Sequence, residues 1–502
     1  MVSAAMGGLL RRPWLALVLV LAAQVIVFVA SQGDFVANDP LWYADIAHRI
    51  ALDPAELFAS ADNHPFFMRI GLTVPLALLY RAFGVSTLVT DLPCLAAALG
   101  IVIVVYAAAR TPRAKLLGML FCLGCAPLMR GAGLLGPDLP CAALMACSIL
   151  WLARRDRPRG ALWVVGAVVA WFAAFLVKEP ALWCAPIWLY AIARDLRAAG
   201  ARRTMRTFAP ALAVGAALAA GYLVLCARVW GDPWARFAGV EHLDHTWQLQ
   251  ARAASEWGAR LTWRPALMFL HMFWAILIPA ALAPWLVRGP DRLWWVAAAA
   301  IVLLFWFGSS SRLGYSPLPL LPRMAFPALP PILVLATLAS DRALDRLHHP
   351  RWRRAAALAI AVAMLLQSAI AVHGMVSRGQ PDRAAFRVLR GEVLDPDRRI
   401  VLVCADQDCP LLSDFYFGLE PPPNLTSTFA DDFARAPLPQ GVAVRAFVNL
   451  HRSALIRREN PRRDRSPLIE ALGMPPIVWR SGGRLYDAGD GRRLWEALRA
   501  AP

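Results

Sequence analysis

One apolar stretch after another has the length that crosses a lipid bilayer, and this limits the fold more than any other feature of the chain. Runs rich in Ala, Leu, Val, Phe and Trp lie near 13–30, 87–109, 116–130, 138–153, 160–177, 180–194, 207–229, 265–287, 293–308, 324–340 and 355–373. A helix needs about 17–25 apolar residues to span the hydrocarbon core, where no water is present to satisfy its backbone. Composition agrees: of 502 residues, 59% are hydrophobic and 17% charged, against about 25% charged in soluble domains. A larger soluble core does not explain the excess, because soluble chains split into domains instead. Collagen, coiled-coil, disordered and disulfide-scaffold classes are excluded on the same grounds. The reading is an α-helical polytopic membrane protein.

The net charge of +18 would suggest nucleic acid on a soluble protein. Here the basic residues cluster in short segments between apolar runs, as the positive-inside rule requires, so no nucleic-acid partner is implied. Only Lys115 and Lys178 are lysines; every other basic residue is arginine. One segment, 66–84, is apolar but interrupted by Arg69, Pro75 and Arg81. If it does not span, Arg11/Arg12, Arg110–Lys115, Arg154–Arg159, Arg194–Arg206, Arg288–Arg292 and Arg342–Arg354 all fall on the cytoplasmic side. If it spans, the 154–159 and 194–206 clusters land outside. The charges therefore predict an interfacial or re-entrant helix at 66–84. Eleven spans follow, with an uncleaved first anchor, a cytoplasmic amino terminus and an external carboxyl terminus.

Composition changes after the last span. Residues 1–375 form the transmembrane domain in this reading, and 376–502 a small external α/β domain. Arg399–Cys404 and Val442–Leu450 read as strands, Asp382–Val393 and Ser466–Leu472 as short helices. Seven cysteines lie in apolar runs, where cysteine acts as a small hydrophobe. Cys404 and Cys409 lie outside them and should form a disulfide if the domain faces an oxidising periplasm.

Ionisable residues at the membrane face are costly and mark candidate chemistry. The first external loop carries Asp34, Asn38, Asp39, Trp42, Tyr43, Asp45 and His48. Asp39 before Pro40 suits a helix start with the carboxylate as cap. Asp62-Asn63-His64-Pro65 follows, then the interfacial helix ending Phe83-Gly84. Arg130 and Pro137-Asp138-Leu139-Pro140 bracket the second external turn, and Lys178-Glu179-Pro180 meets the external end of a span. Gly231-Asp232-Pro233-Trp234 opens the third loop, and Tyr315 through Arg323 leads into a proline-rich span. Glu241, His242, Asp244 and His245 have ligand-like spacing for a divalent metal, without a third element to complete a site.

In order and sidedness these features resemble the GT-C class of membrane glycosyltransferases, over roughly residues 1–340. The bacterial relatives of protein O-mannosyltransferases and of the lipid A aminoarabinose transferase look most similar. The resemblance implies a sugar moved from a polyprenyl-phosphate donor to a lipid, glycan or protein hydroxyl at the periplasmic face of the bacterial inner membrane. It implies Asp39 and Asp138 as catalytic carboxylates, Lys178 and Arg323 as phosphate partners, and His64, Glu179, Arg312 and Tyr315 as supporting groups. Where the class commonly has Asp-Glu, this chain has Asn38-Asp39, which leaves open whether Asp39 or Asp34 is the base. Some members use a divalent metal ion and others do not, so the cofactor stays open. The chemistry fits: a base must take the acceptor proton, and cations must stabilise the departing phosphate. The rival reading is a transporter or flippase for a lipid-linked sugar, which should carry polar or broken helices at mid-membrane. A non-catalytic assembly subunit would tolerate loss of Asp39.

Overall fold

The computed structural model describes residues 12–30, 38–59, 66–246, 260–309, 322–376, 381–405, 409–449, 465–479 and 483–500. The chain divides into two compact units. One comprises Met1–Ser31, Asp53–Pro75 and Asp91–Val376, the other Gln32–Leu52, Leu76–Thr90 and Ser377–Pro502.

The first unit is helical. Among the described residues of the whole chain, seven helices are long and apolar enough to cross a membrane; an eighth is gained if Pro112–Leu123 and Ala126–Ala132 form one span. Those two segments meet at a 62° bend. Pro127 has no N–H to give the Leu123 carbonyl, so the first helix stops and a second begins. Ile70–Phe83 and Asp138–Leu152 are apolar helices below spanning length. The apolar stretch after Lys178 starts as a 3-10 turn, Glu179–Cys184, and continues as the Ala185–Ala199 helix. Pro180 and Pro186, each in the first turn of its segment, place that break.

Leu329–Arg346 is the central helix, with every residue from Leu329 through Asp341 buried, as expected of a helix apolar all round. At its far end Asp341 accepts from Arg113 Nε at 2.6 Å and from Thr111 Oγ1 at 3.0 Å. Asp291 joins Arg110 and Arg342 at 2.8 and 2.6 Å, and Asp195 takes a bidentate pair of bonds from Arg155. Several arginines of the basic clusters are thus fixed to helix-end carboxylates.

The second unit contains a five-stranded sheet in the order β2-β1-β3-β5-β4. Its strands are β1 Ile400–Cys404, β2 Leu425–Phe429, β3 Ala443–Asn449, β4 Pro476–Trp479 and β5 Gly483–Asp487. β1 runs parallel to β2 and β3, while β5 is antiparallel to β3 and β4. Helices Pro381–Val393, Cys409–Tyr416, Ala430–Arg435, Ser466–Ala471 and Arg492–Ala500 accompany it. Its core gathers Val403, Phe433, Val444, Ala446, Val448, Ile469 and Leu494, the larger of which contribute about 1.5–3 kcal/mol each on burial. β1, β3 and the helices at 381 and 466 stand where the sequence pattern put them; β2, β4 and β5 went unread. Cys404 is held in a disulfide, whereas the seven cysteines of the apolar runs are free thiols.

Candidate active site

Two buried ion-pair clusters in the helical unit meet at consecutive residues. Lys178 ends the Gly160–Val177 helix in extended backbone, φ −158° and ψ 148°. Successive side chains on extended backbone point in opposite directions, so Lys178 and Glu179 serve different partners. Lys178 Nζ donates to Asp138 Oδ1 at 2.5 Å, and these residues are 6% and 5% exposed. Asp138 is the first residue of the Asp138–Leu152 helix, where free amide groups favour a carboxylate.

A second buried carboxylate holds the turn before that helix. Asp91, in the Thr87–Ala108 helix, accepts from the Leu135 N–H at 2.8 Å, and Cys94 Sγ approaches the Gly136 carbonyl at 3.4 Å. Lys178 Nζ also lies 3.5 Å from Met324 Sδ. That contact brings in the 3-10 segment Pro322–Ala328 and places half-buried Arg323 one residue away.

Glu179 faces two arginines. Its Oε2 accepts from Arg69 Nη2 at 3.2 Å and its Oε1 from Arg236 Nε at 3.0 Å. Burial by itself would raise the Glu179 carboxyl, but Arg69 and Arg236 outweigh it and hold the group down at about 2. Gly71 allows the approach. A Cβ there would lie 2.8 Å from the backbone of Leu176 and Val177, so only glycine lets the start of the Ile70–Phe83 helix touch the chain just before Lys178.

Arg236 is 1% exposed. It stacks 4.5 Å over the Phe175 ring and its Nη1 donates to the Tyr222 hydroxyl at 3.3 Å. Its Nη2 has no hydrogen-bond partner among the described residues. Beside it a cavity of about 410 Å³ runs between the Gly160–Val177 and Ala201–Trp230 helices, walled by Trp171, Phe172, Phe175, Tyr222 and Trp234. Arg69, Arg236 and Glu179 together carry two positive charges and one negative, and Arg236 lines the apolar space.

Of the residues singled out in the sequence, Asp138 and Lys178 are paired with each other, while Glu179 is paired with Arg69 and Arg236. Arg323 lies beside the Lys178 contact. Asp39 belongs to the other unit. It sits in the first turn of the Asn38–Leu52 helix, half-buried. His64, Arg312, Tyr315 and Asp34 lie outside the described residues. Glu241, His242, Asp244 and His245 fall on the Ala235–Thr246 helix, and among the described residues no three His, Cys, Asp or Glu side chains group as a metal site. Arg69, Arg236 and Asp91 were missed. The available signal for Arg69 and Asp91 was an ionisable residue inside an apolar run; Arg236 carried none.

The fold, several apolar helices of membrane-spanning length with a small carboxyl-terminal sheet, resembles that of solved ArnT and AglB structures. The solved structures it resembles include ArnT from Cupriavidus metallidurans in the apo state, at TM-score 0.57 and 16% identity, over 99% of this chain and 100% of that one. The same enzyme bound to undecaprenyl phosphate gives 0.59 at 16% identity, over 98% and 99%. The archaeal oligosaccharyltransferase AglB from Archaeoglobus fulgidus, in complex with an inhibitory peptide and a dolichol-phosphate, gives 0.52 at 14% identity, over 82% of this chain and 64% of that one. No protein-family profile and no curated protein matches the sequence.

Proposed function

We propose that the protein is a membrane glycosyltransferase that moves a sugar from a polyprenyl-phosphate donor to a lipid, glycan or protein hydroxyl on the periplasmic face. The observation that carries the reading is the buried Glu179–Arg69–Arg236 cluster, with one positive charge in surplus and Arg236 lining an apolar cavity, a combination suited to an anionic headgroup with a long lipid tail. Structures of the same fold were solved with undecaprenyl phosphate and dolichol-phosphate bound, which supports the donor class. The Cys404 disulfide supports an oxidising compartment for the carboxyl-terminal domain.

In the proposed reaction Asp39 takes the proton of the acceptor hydroxyl. The oxygen attacks the anomeric carbon from the face opposite the phosphate, the new C–O bond forms with inversion, and the old C–O bond breaks with its electrons passing to the lipid phosphate. Charge on that phosphate is present in the ground state and grows on departure, so fixed cations serve both donor binding and the transition state. Lys178, Arg323, Arg69 and Arg236 are the proposed phosphate partners, and Asp138 orients Lys178. The ion pairs matter here because they hold the cations in place before substrate arrives.

The test joins mass spectrometry of co-purified lipid with turnover of the Asp39→Asn variant. A polyprenyl-phosphate sugar should be recovered from the parent protein. Asp39→Asn, which keeps the size of the side chain and removes the proton acceptor, should fold normally and lose turnover by about 100-fold or more, the lower end of general-base catalysis. Turnover within a few-fold of the parent sinks Asp39 as the base.

A further inference from the structure

The helix that carries Asp39 is grouped with the sheet domain, not with the helical unit, and this gives the carboxyl-terminal residues a task. Gln32–Leu52 and Leu76–Thr90 form one compact unit with Ser377–Pro502, although more than 300 residues of chain separate the first from the last. The Asn38–Leu52 helix packs against the Cys409–Tyr416 helix, and Leu41, Tyr43, Ala44, Ile46 and Ala47 along it are all but fully buried.

Its charged stripe faces the same way. Asp45, His48 and Arg49 occupy positions i, i+3 and i+4, one face of a helix. Asp45 binds Arg49 at 2.6 Å and stands beside Asp414 of the Cys409–Tyr416 helix. His48, 9% exposed, has its Nε2 3.8 Å from Glu420 Oε1 and its ring edge-on to Tyr80 with centroids 6.5 Å apart. Tyr80 in turn bonds Thr90 at 2.7 Å. Three separate stretches of chain therefore converge on His48: the Asp39 helix, the Leu76–Thr90 segment and the loop after Tyr416.

We infer that the carboxyl-terminal α/β domain is a positioning element for Asp39, holding the Asn38–Leu52 helix by the packing of the Cys409–Tyr416 helix against it, with the charges of Asp414 and Glu420 tuning that contact at the Asp45–His48–Arg49 face. The inference rests on the reading of Asp39 as the base. Sequence shows why such a support is needed. The segment carrying Asp39 follows the Pro13–Ala30 span and forms only a 15-residue helix, and a helix of that length is marginal in water without tertiary packing. A carboxylate that must meet an acceptor proton within hydrogen-bond reach cannot ride on a helix free to shift, because small misplacements cost turnover steeply. Asp45 and Asp414 also set two carboxylates side by side with Arg49 on Asp45, so the docking strength is sensitive to charge at position 414. Glu420 is largely exposed, with 72% of its side chain accessible, and its share is small.

The test uses the full-length protein in lipid nanodiscs. Hydrogen exchange of residues 38–52 is followed together with kcat and donor KM, for Asp414→Asn, Glu420→Lys and Asp45→Asn, and for Asp45→Asn/Asp414→Asn. Asp414→Asn removes the like charge beside Asp45 and should slow exchange in 38–52 by about threefold at neutral pH, a modest figure for a half-buried group. Glu420→Lys should speed it and lower kcat by about twofold, with donor KM unchanged. In the Asp45→Asn background the change at 414 should have a smaller effect, because only the burial of Asp414 is then relieved, a coupling that two independent sites would not show. Exchange in 38–52 that ignores positions 414 and 420, or additive effects at 45 and 414, overturns the inference. If instead the coupling is found in exchange but Asp39→Asn stays active, the docking stands and the assignment of the base fails; kcat must then also be indifferent to position 414.

Discussion

The two units bury charge by opposite rules. In the helical unit Asp138, Lys178, Arg236 and Asp91 are all at most 6% exposed, yet they lie among helices that are otherwise apolar. Asp91 accepts from the Leu135 N–H, and the others are matched across helices rather than along one, with Asp138 to Lys178, and Arg69 and Arg236 to Glu179. In the sheet domain the interior is hydrocarbon: Phe433, Val444, Val448 and Leu494 fill it, and Arg445 is the buried charge tied to Glu392 and Asp487. The difference separates what stabilises from what reacts. Hydrocarbon burial supplies folding energy without geometric demands beyond volume, whereas buried ion pairs contribute little net stability and place charges at defined points.

The sharpest break of that comparison is Lys178→Met. Stripping one partner from a buried pair costs about 3–5 kcal/mol because the other charge is left uncompensated. The thermal midpoint should fall steeply and turnover should vanish. Asp138→Leu/Lys178→Met should recover much of the midpoint and none of the turnover, measured by scanning calorimetry and donor consumption. Recovery of both would make the pair structural and dissolve the contrast.

Phe433→Ala probes the other side. It leaves a cavity costing about 3–5 kcal/mol, so circular dichroism should report an earlier melting step for the sheet domain. If the helical unit melts in the same step, the two units are one cooperative block.

Arg236→Leu leaves Glu179 with Arg69 as its arginine partner. Loss of charged hydrogen bonds worth about 1.5–3 kcal/mol should raise donor KM roughly ten- to hundredfold. Arg236→Lys should lie between, since lysine keeps the charge but not the planar donor set. Donor titration by calorimetry decides it; unchanged affinity removes Arg236 from the site.

The smallest effect is in pH. The Glu179 carboxyl is held near 2, below its ordinary range, so its contribution is present above about 4.5 and is lost only as pH falls through 2. The helical unit should not respond between pH 5 and 8 through this group. Asp414 runs the other way. Burial first, then the neighbouring Asp45, push it up to about 6. A raised carboxyl favours the folded, protonated form, so its contribution is full below its ordinary 3.8 and is lost as pH rises through 6. With Asp45, Arg49, His48 and Glu420 around it, the Asn38–Leu52 helix should exchange more slowly at pH 5 than at pH 7.5 after correction for intrinsic rates. Asp414→Asn should flatten that dependence; a slope of the same size in the variant removes Asp414 as its cause.

Much of the architecture could be read before any coordinates. The apolar runs, the strands at β1 and β3, and the choice of Asp138, Lys178 and Glu179 as candidates came from patterns that a short window contains. β2, with sequence LTSTF, escaped because alternation of Thr and Ser carries no apolar signal. β4 has only four residues, and β5, GRLYD, is too polar to stand out. Arg69 and Arg236 escaped for a different reason: they reach Glu179 across 110 and 57 residues, and Asp91 reaches Leu135 across 44.

By itself the amino-acid sequence determined that this chain folds as helices in a membrane with a small α/β domain after them. Water exclusion and backbone satisfaction act on every residue locally, so composition and spacing are enough to state them. Which carboxylate meets which cation was decided only by the tertiary structure. Every buried charge requires a partner, but the sequence offers 52 cations and 34 carboxylates and no rule for choosing among them. The choice is made where helix ends come close, at Gly71 against Leu176 and at the extended backbone of Lys178, because electrostatic pairing in an apolar medium depends on ångström distances that only packing sets.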